Sequence, residues 1–331
     1  MLSLRQRKSA FGLIRSRMET ITCSIIIPSY NHGRHIERSI GSALSQTLKG
    51  FEVIVVDDGS TDDTPARAGQ FGNRIRYIRQ ANGGLGSARN TGIKASRGSY
   101  LQFLDADDYI APAKLELQVA AMTANRGVDV VYSDCTMTGP DSEGRSYASR
   151  PINEQDPLAT LVKDNPIPVH AAVIRKEAVL MAGMYDESRA IHEDWDLWIR
   201  LALKGSRFLY LPGDLAHYHR EASVISANQG LMFDRAKSLL DKHVRNPEMI
   251  ASGRAYLDRF VATQYLLLAA NARGHKCWEL TRSLLFRAAK ADWRSLTLRL
   301  WLYFPETVLH QALDVFAGKE RAIPDNIRRS I

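Results

Sequence analysis

Two acidic clusters directly follow apolar runs. Glu52–Val56 leads into Asp57-Asp58-Gly59-Ser60, and Tyr100–Leu104 leads into Asp105-Ala106-Asp107-Asp108. Aspartate is common in turns because its side chain bonds the nearby backbone. A turn that ends a buried strand has a further property: open α/β sheets bind ligands at the carboxyl ends of their strands. Four carboxylates at one crevice repel each other unless a cation or hydrogen-bond donors offset them. Mg²⁺ or Mn²⁺, held by few protein carboxylates plus the oxygens of a substrate diphosphate, does this. The chemistry these residues suit is the binding of a diphosphate through a divalent cation.

The elements that carry the clusters alternate. Cys23–Pro28 is a β-branched run, His35–Thr47 has helical spacing, and Glu52–Val56 is a second buried strand. Ser60 or Thr61 is placed to cap the next helix, and Ile75–Ile78 reads as a third strand. A Gly-rich turn, Asn82–Gly86, opens a helix through Ala95, and Tyr100–Leu104 is the fourth strand. Pro112 suits a first helical position, with that helix running to Ala124, and Val128–Tyr132 is another strand. Met137–Asn153 is polar and reads as a surface loop. Val169–Ile174, Phe208–Leu211 and Leu215–His219 read as strands and Glu193–Leu203 as a helix; from about Gln229 the chain turns helical. This predicts an α/β fold, a mixed but mostly parallel sheet flanked by helices, with an α-helical C-terminal extension.

The order and spacing of several motifs resemble family 2 glycosyltransferases. They are Ser24-Ile25-Ile26-Ile27-Pro28-Ser29-Tyr30-Asn31, Ser39-Ile40-x-Ser42-Ala43-Leu44-x-Gln46-Thr47, and the run from Glu52 through Asp57-Asp58-Gly59-Ser60-Thr61-Asp62. Gln80-x-Asn82-x-Gly84, Ala88-Arg89-Asn90-x-Gly92-Ile93 and Phe103–Asp108 follow in turn. The likeness covers about residues 22–220 and is most specific in 22–110. It implies a GT-A, Rossmann-like fold and inverting transfer of a sugar from a nucleotide sugar.

Carried residue by residue, the resemblance implies a donor site of Pro28, Tyr30, Asp57, Asp58, Arg89, Asp105, Ala106 and Asp107. Pro28 and Tyr30 line the base pocket, and Asp57 meets the uracil or ribose. Asp105 faces the ribose and Asp107 the metal, Mn²⁺ or Mg²⁺. Arg89 lies near the diphosphate or supports the acidic cluster. His192-Glu193-Asp194-Trp195-Asp196 resembles the Glu-Asp pair that starts an acceptor-side helix. Inverting transfer needs one general base. Asp194 is expected to be that base, with Glu193 and Asp196 as alternatives and Trp195 on the acceptor side. First-turn acids also favour a helix dipole, and Trp195 and Trp198 serve equally as sugar-stacking or core residues. His217-Tyr218-His219-Arg220 resembles a late segment in which His219 or Arg220 offsets the charge of the leaving diphosphate.

Other classes fit less well. Gly84-x-Gly86-x-x-Arg89, with Asp105 further on, approaches a dinucleotide fingerprint, but Arg89 stands at the third glycine. Cys23, Cys135 and Cys277 have no C-x-x-C spacing, which argues against a disulfide scaffold and fits a reducing compartment. Neither a membrane span nor a secretory signal is read. Charge is uneven: residues 1–20 carry five basic and one acidic residue, 21–220 carry 22 and 24, and 221–331 carry 17 and 11. Basic ends suit an anionic surface, phospholipid rather than nucleic acid, or are solvated helix faces. Leu300–Phe304, among arginines, suits a membrane interface or a helical bundle.

The expected organisation is a basic segment 1–20, a glycosyltransferase domain 21–227 (donor half 21–133, acceptor half 134–227) and a helical region 228–331. The expected partners are a nucleotide-sugar donor, UDP first, and a glycan or lipid-linked acceptor in bacterial surface-polysaccharide synthesis. The expected place is the cytoplasm, at the inner face of the membrane. A metal-dependent nucleotidyl- or phosphotransferase and a non-enzymatic binding module are the alternatives.

Overall fold

The computed structural model describes residues 21–139, 145–147, 151–188, 192–219, 238–239, 241–274, 281, 283–288 and 290–291. The chain divides into two compact units, Met1–Pro157 with Asn165–Glu221, and Leu158–Asp164 with Ala222–Ile331.

In the first unit the described strands are β1 (Cys23–Ser29), β2 (Phe51–Asp57), β3 (Arg76–Arg79), β4 (Tyr100–Phe103), β5 (Tyr109–Ile110), β6 (Val128–Thr138), β7 (Arg145–Tyr147), β8 (Ala172–Arg175) and β9 (Arg207–His219). The helices are α1 (Ile36–Leu44), α2 (Thr64–Gly69), α3 (Leu85–Ala95), α4 (Lys114–Ala124), α5 (Pro157–Leu161), which runs into the second unit, α6 (Lys176–Met181) and α7 (Glu193–Leu203). One sheet runs β3-β2-β1-β4-β8-β6-β9-β5, with β7 paired to β6. The run β3-β2-β1-β4 is parallel, β8 is antiparallel to β4 and β6, and β9 runs parallel to β6 and antiparallel to β5. The mixed sheet with flanking helices is the one expected.

Every residue of β1 is buried, as befits a central strand covered on both faces. Ile25 and Ile27 pack with Ile36, Ile40 and Ala43 of α1. On the other face α3 comes so close that a Cβ on Gly92 would lie 2.3 Å from the Ile26 side chain. Gly92→Ala is therefore expected to cost about 1–3 kcal/mol by overpacking, read as a lower midpoint in denaturant.

The structure differs from the sequence expectations in several places. The α2 helix begins after Asp63 with no side-chain cap, and Asp62 Oδ1 takes the Thr64 N–H at 3.0 Å. Pro112 precedes α4 by two residues rather than opening it. The polar 137–153 stretch contains the edge strand β7, Val169–Ala171 is a 3₁₀ turn before β8, and the two late strands are one, β9. In the second unit, α8 (Pro247–Ala251) and α9 (Arg254–Gly274) are described. Asn246 caps α8 by accepting from Glu248 and Met249 N–H, and the His243 ring meets Phe260 edge-on. The expected segment 1–20, Arg220 and the helices after 291 lie outside the described residues.

Candidate active site

Because β1, β2 and β4 are parallel and in register, their carboxyl ends share one edge. Ser29 pairs with Asp57, and Ile26 pairs with Phe103. Tyr30, Asp58 and the Asp105–Asp108 turn follow immediately.

A cavity of about 320 Å³ opens there, lined by Pro28, Ser29, Tyr30, Asp58, Asn82, Gly84, Leu85 and Ala88. Three of the expected donor residues, Pro28, Tyr30 and Asp58, are thus brought together. Tyr30 is 45% exposed, so its ring face is open to a ligand. Asp58 accepts from Gln80 Nε2 at 2.7 Å and from the Gly83 and Gly84 N–H groups at 3.0 and 2.7 Å. These bonds shape the glycine turn, and Gly84 takes φ 88°, which glycine adopts without strain. Asp57 does not reach the cavity. It is fully buried, with Oδ1 accepting from Ser60 N–H at 2.9 Å and Oδ2 accepting from the Tyr77 hydroxyl. In this structure Asp57, expected to meet a base or ribose, anchors the end of β2 through these bonds. Asn82, Leu85 and Ala88 are cavity residues with no site role in the sequence reading, although Asn82 and Ala88 stand in its motifs and Leu85 in the Gly-rich turn.

The second acidic turn is wired to α7 by Arg89. Its guanidinium, 1% exposed, donates from Nη2 to Asp105 Oδ1 and from Nη1 to Glu193 Oε1, both at 2.7 Å. It also lies over the Tyr185 ring at 5.0 Å. Of the two expected roles for Arg89, the geometry is that of support for the acidic cluster. Burial works to raise the Asp105 pKa, but the Arg89 charge prevails and holds it below the usual carboxylate range. Asn90 completes the tie: it accepts from Tyr185 N–H and donates to Tyr185 O, both at 2.9 Å.

Asp107 is half-buried, and its carboxyl is pushed up to about 7, first by burial and then by the charges of Asp108 and Asp105. Ala106 is 1% exposed and its side chain packs in the core, so it offers a donor no side-chain contact. Ligand atoms of Asp105, Asp108 and His170 lie within 4.8 Å of one another, a set that can hold a cation. Asp108 and His170 are 0% and 2% exposed, however, and ion-pair at 3.0 Å. The less buried Asp107 fits a cation that must also touch a diphosphate. Carboxylate oxygens suit Mg²⁺ or Mn²⁺.

At the start of α7, Glu193 is consumed by Arg89 and Asp196 by Arg200, whose Nε and Nη2 lie 2.9 and 2.8 Å from Asp196 Oδ2. Asp194 is held differently. Its Oδ1 accepts the Trp195 N–H at 2.7 Å and its Oδ2 accepts from Asn165 Nδ2 at 3.1 Å. Burial, then the neighbouring Glu193 charge, raises its pKa to about 6. Trp195 and Trp198 are 3% and 0% exposed, so both rings pack in the core, and the carboxylate of Glu193, expected on the acceptor side, is paired with Arg89. His217 stacks on Tyr109 at 4.5 Å. His219 gives its backbone N–H to Asp108 Oδ1 at 2.7 Å, and its ring lies 5.5 Å from that of His35.

Residues 24–180 match the family described as Glycosyl transferase family 2. An uncharacterized glycosyltransferase of Rickettsia prowazekii is 35% identical over 183 residues, covering 54% of this chain and 57% of that protein. Chondroitin synthase of Escherichia coli is 32% identical over 214 residues, 61% of this chain and 30% of the synthase. The chain thus spans between about a third and just over half of these relatives. Among solved structures, S. aureus TarS 1–349 in complex with UDP-GlcNAc superposes with a TM-score of 0.62 at 20% identity, covering 82% of this chain and 81% of that 1–349 chain. That likeness bears on the fold.

Proposed function

We infer that this chain, whose residues 24–180 belong to glycosyl transferase family 2, moves a sugar from a nucleotide-sugar donor to a hydroxyl of a glycan or lipid-linked acceptor, with inversion. The observation that carries this reading is the cavity with Tyr30 and Asp58 on its wall, on the same sheet edge as the Asp105–Asp108 turn, which Arg89 ties to the helix bearing Asp194.

The base lies against Tyr30 and Pro28. Asp58 already accepts three hydrogen bonds, which leaves about one acceptor site of its four for a base N–H. Asp107 would hold a divalent cation, which would supply charge neutralisation at the departing diphosphate, and His219 would add to it. Asp194 takes the proton of the acceptor hydroxyl as its oxygen bonds the anomeric carbon. The bond from that carbon to the diphosphate oxygen breaks, and the nucleoside diphosphate leaves. Arg89 and Glu193 keep Asp194 and the Asp105 turn in fixed relation throughout.

UDP-sugars are the first donors to test, since the TarS structure holds UDP-GlcNAc. A melting panel of UDP, UDP-sugars, dTDP-sugars and GDP-mannose, with and without Mn²⁺, checks this. A ligand at 100 times its Kd stabilises by about 2.7 kcal/mol. A rise is expected for uridine compounds, larger with Mn²⁺. No shift with any nucleotide sugar would sink the reading. Release of nucleoside diphosphate, rather than pyrophosphate or monophosphate, separates sugar transfer from phosphoryl transfer. Tyr30→Ala should weaken UDP binding by about 1–3 kcal/mol, the usual worth of one base–aromatic stack. An unchanged UDP affinity would remove Tyr30 from the pocket.

The basic ends support an acceptor held at an anionic membrane surface, on the cytoplasmic face. No helix among the described residues is long and apolar enough to cross a membrane. Deleting residues 1–20 removes a net charge of +4, and each basic residue near such a surface contributes ~1 kcal/mol. Pelleting with phosphatidylserine vesicles is expected to fall on deletion and to be salt-sensitive. Equal pelleting of both chains at low and high salt would refute it.

A further inference from the structure

Asp108 and His170 take no part in the steps above, yet they form the centre of a buried polar chain. His170 Nδ1 lies 3.0 Å from Asp108 Oδ2, and His170 Nε2 lies 3.1 Å from Cys135 Sγ. Asp108 Oδ1 accepts the backbone N–H of His219 at 2.7 Å, across 111 residues of sequence. The His170 ring also lies flat against Tyr218, 5.7 Å away and 8° from parallel.

The turn that presents His170 is itself framed. Gln102 Nε2 donates to His170 O at 3.0 Å and Gln118 Nε2 to Ala171 O at 2.9 Å. Both glutamines accept from the buried Lys114 ammonium at 2.5 Å. Burying an ion pair and a lysine in this way is a poor route to stability, because desolvation offsets most of the Coulomb gain. What the chain does provide is fixed geometry. Asp108 is bonded in sequence to Asp107 and through its side chain to His219. One carboxylate therefore sets the spacing of the two groups assigned to the cation and diphosphate, and His170 sets that carboxylate.

We propose that His170 is a positioning residue: it fixes Asp108, and through Asp108 the end of β9, so that His219 stands at a set distance from Asp107. This rests on the placement of the cation and diphosphate given above. Outer-shell partners of this kind typically change metal affinity by about 10–100-fold when removed.

The two amide replacements separate the ring nitrogens without leaving an apolar group against Asp108. Asparagine puts an N–H near the place of Nδ1; glutamine reaches the place of Nε2. The measurement is binding of Mn²⁺ to the full chain with UDP, followed by the loss of the free Mn²⁺ electron-paramagnetic signal, alongside melting of each variant. His170→Gln is expected to weaken Mn²⁺ binding by about 10–100-fold and His170→Asn to recover most of it. In a His219→Ala background His170→Gln should have almost no further effect, because a residue acting through His219 cannot couple to it once it is gone. An equal loss in both backgrounds would overturn the proposal, and an equal loss for Asn and Gln would make His170 itself a ligand, with Asp105 and Asp108. Lower melting with unchanged Mn²⁺ binding would also overturn it, by leaving the pair a purely structural role. If the wild-type chain binds no Mn²⁺ with UDP, the cation assignment falls and this proposal falls with it, whereas nucleotide-sugar binding without metal leaves the sugar-transfer reading standing; loss confined to the variants leaves both the cation and the reading in place.

Discussion

Asp194→Asn is expected to lower turnover by ~10²–10⁴-fold, the usual contribution of a general base, while nucleotide-sugar affinity holds. The amide is nearly isosteric. It can still accept the Trp195 N–H and, through a rotated amide, meet Asn165, so the start of α7 keeps its bonds. What it cannot do is take a proton. The pH profile gives an independent reading. Burial and the Glu193 charge raise the Asp194 pKa to about 6. A base works only when deprotonated, so kcat/KM of the wild-type chain should fall about tenfold per pH unit below 6 and level off above it. That acid limb should vanish in Asp194→Asn. Asp196→Asn is the control. Asp196 is fully buried against Arg200, so its loss should lower the melting temperature, a charged hydrogen bond contributing about 1.5–3 kcal/mol, and leave the pH limb in place. Full activity in Asp194→Asn, or an acid limb that survives it, moves the base to another residue.

Residues differ in how far the sequence alone disclosed them, and the difference follows from what each signal depends on. The strands β1, β2 and β4 are short runs of Ile, Val, Leu and Phe bounded by turn residues, and their limits are read to within a residue or two because burial on both faces demands such runs. The helix α7 is read end to end because its apolar side recurs at helical spacing. The edge strand β7, Arg-Ser-Tyr, lies in a polar stretch rich in glycine and serine and has no apolar pattern to betray it. Pro212-Gly213 splits β9 in the sequence, whereas in the structure pairing with β6 continues past it with register shifts. At the site, the Asp105–Asp108 turn and the Glu193-Asp194 helix start are located in the sequence by the strand and the helix that carry them. Asp57 and Asp58 are not told apart by adjacency; the strand's last pleat turns Asp57 inward to Tyr77 and Ser60. His170 was invisible for a third reason. It sits in an apolar run, Ile167-Pro168-Val169-His170-Ala171-Ala172, where a histidine reads as core, and its partners Asp108 and Cys135 are distant in sequence. Pairings made by topology rather than by spacing leave no local trace.

Asp107→Asn is expected to remove the Mn²⁺ dependence of nucleotide binding and to lower turnover by several kcal/mol of transition-state stabilisation, roughly 10³-fold. The argument begins with what the neighbours are already doing. Asp105 shares Arg89 with Glu193, at 2.7 Å from each, and Asp108 pairs with His170 at 3.0 Å. Among the described residues Asp107 has no such partner: Arg38 reaches its backbone carbonyl at 2.6 Å, not its carboxylate. Burial and the two flanking charges push it up to about 7, which marks a surplus of negative potential that a divalent cation would offset. An amide still fits the turn and still accepts a hydrogen bond, but it brings no charge. Folding should therefore change little, and removing one of three clustered acids should, if anything, stabilise the chain, the gain growing as pH rises from the ordinary carboxylate range to about 7 and holding above it. UDP binding without metal should match the wild type, because the base pocket at Tyr30 and Asp58 is untouched. The added affinity on titrating Mn²⁺ should be lost. Calorimetric titration of UDP into both chains, with and without Mn²⁺, reads this directly. A variant that gains as much from Mn²⁺ as the wild type would transfer the cation to Asp105, Asp108 and His170, the other set whose ligand atoms lie within 4.8 Å of one another.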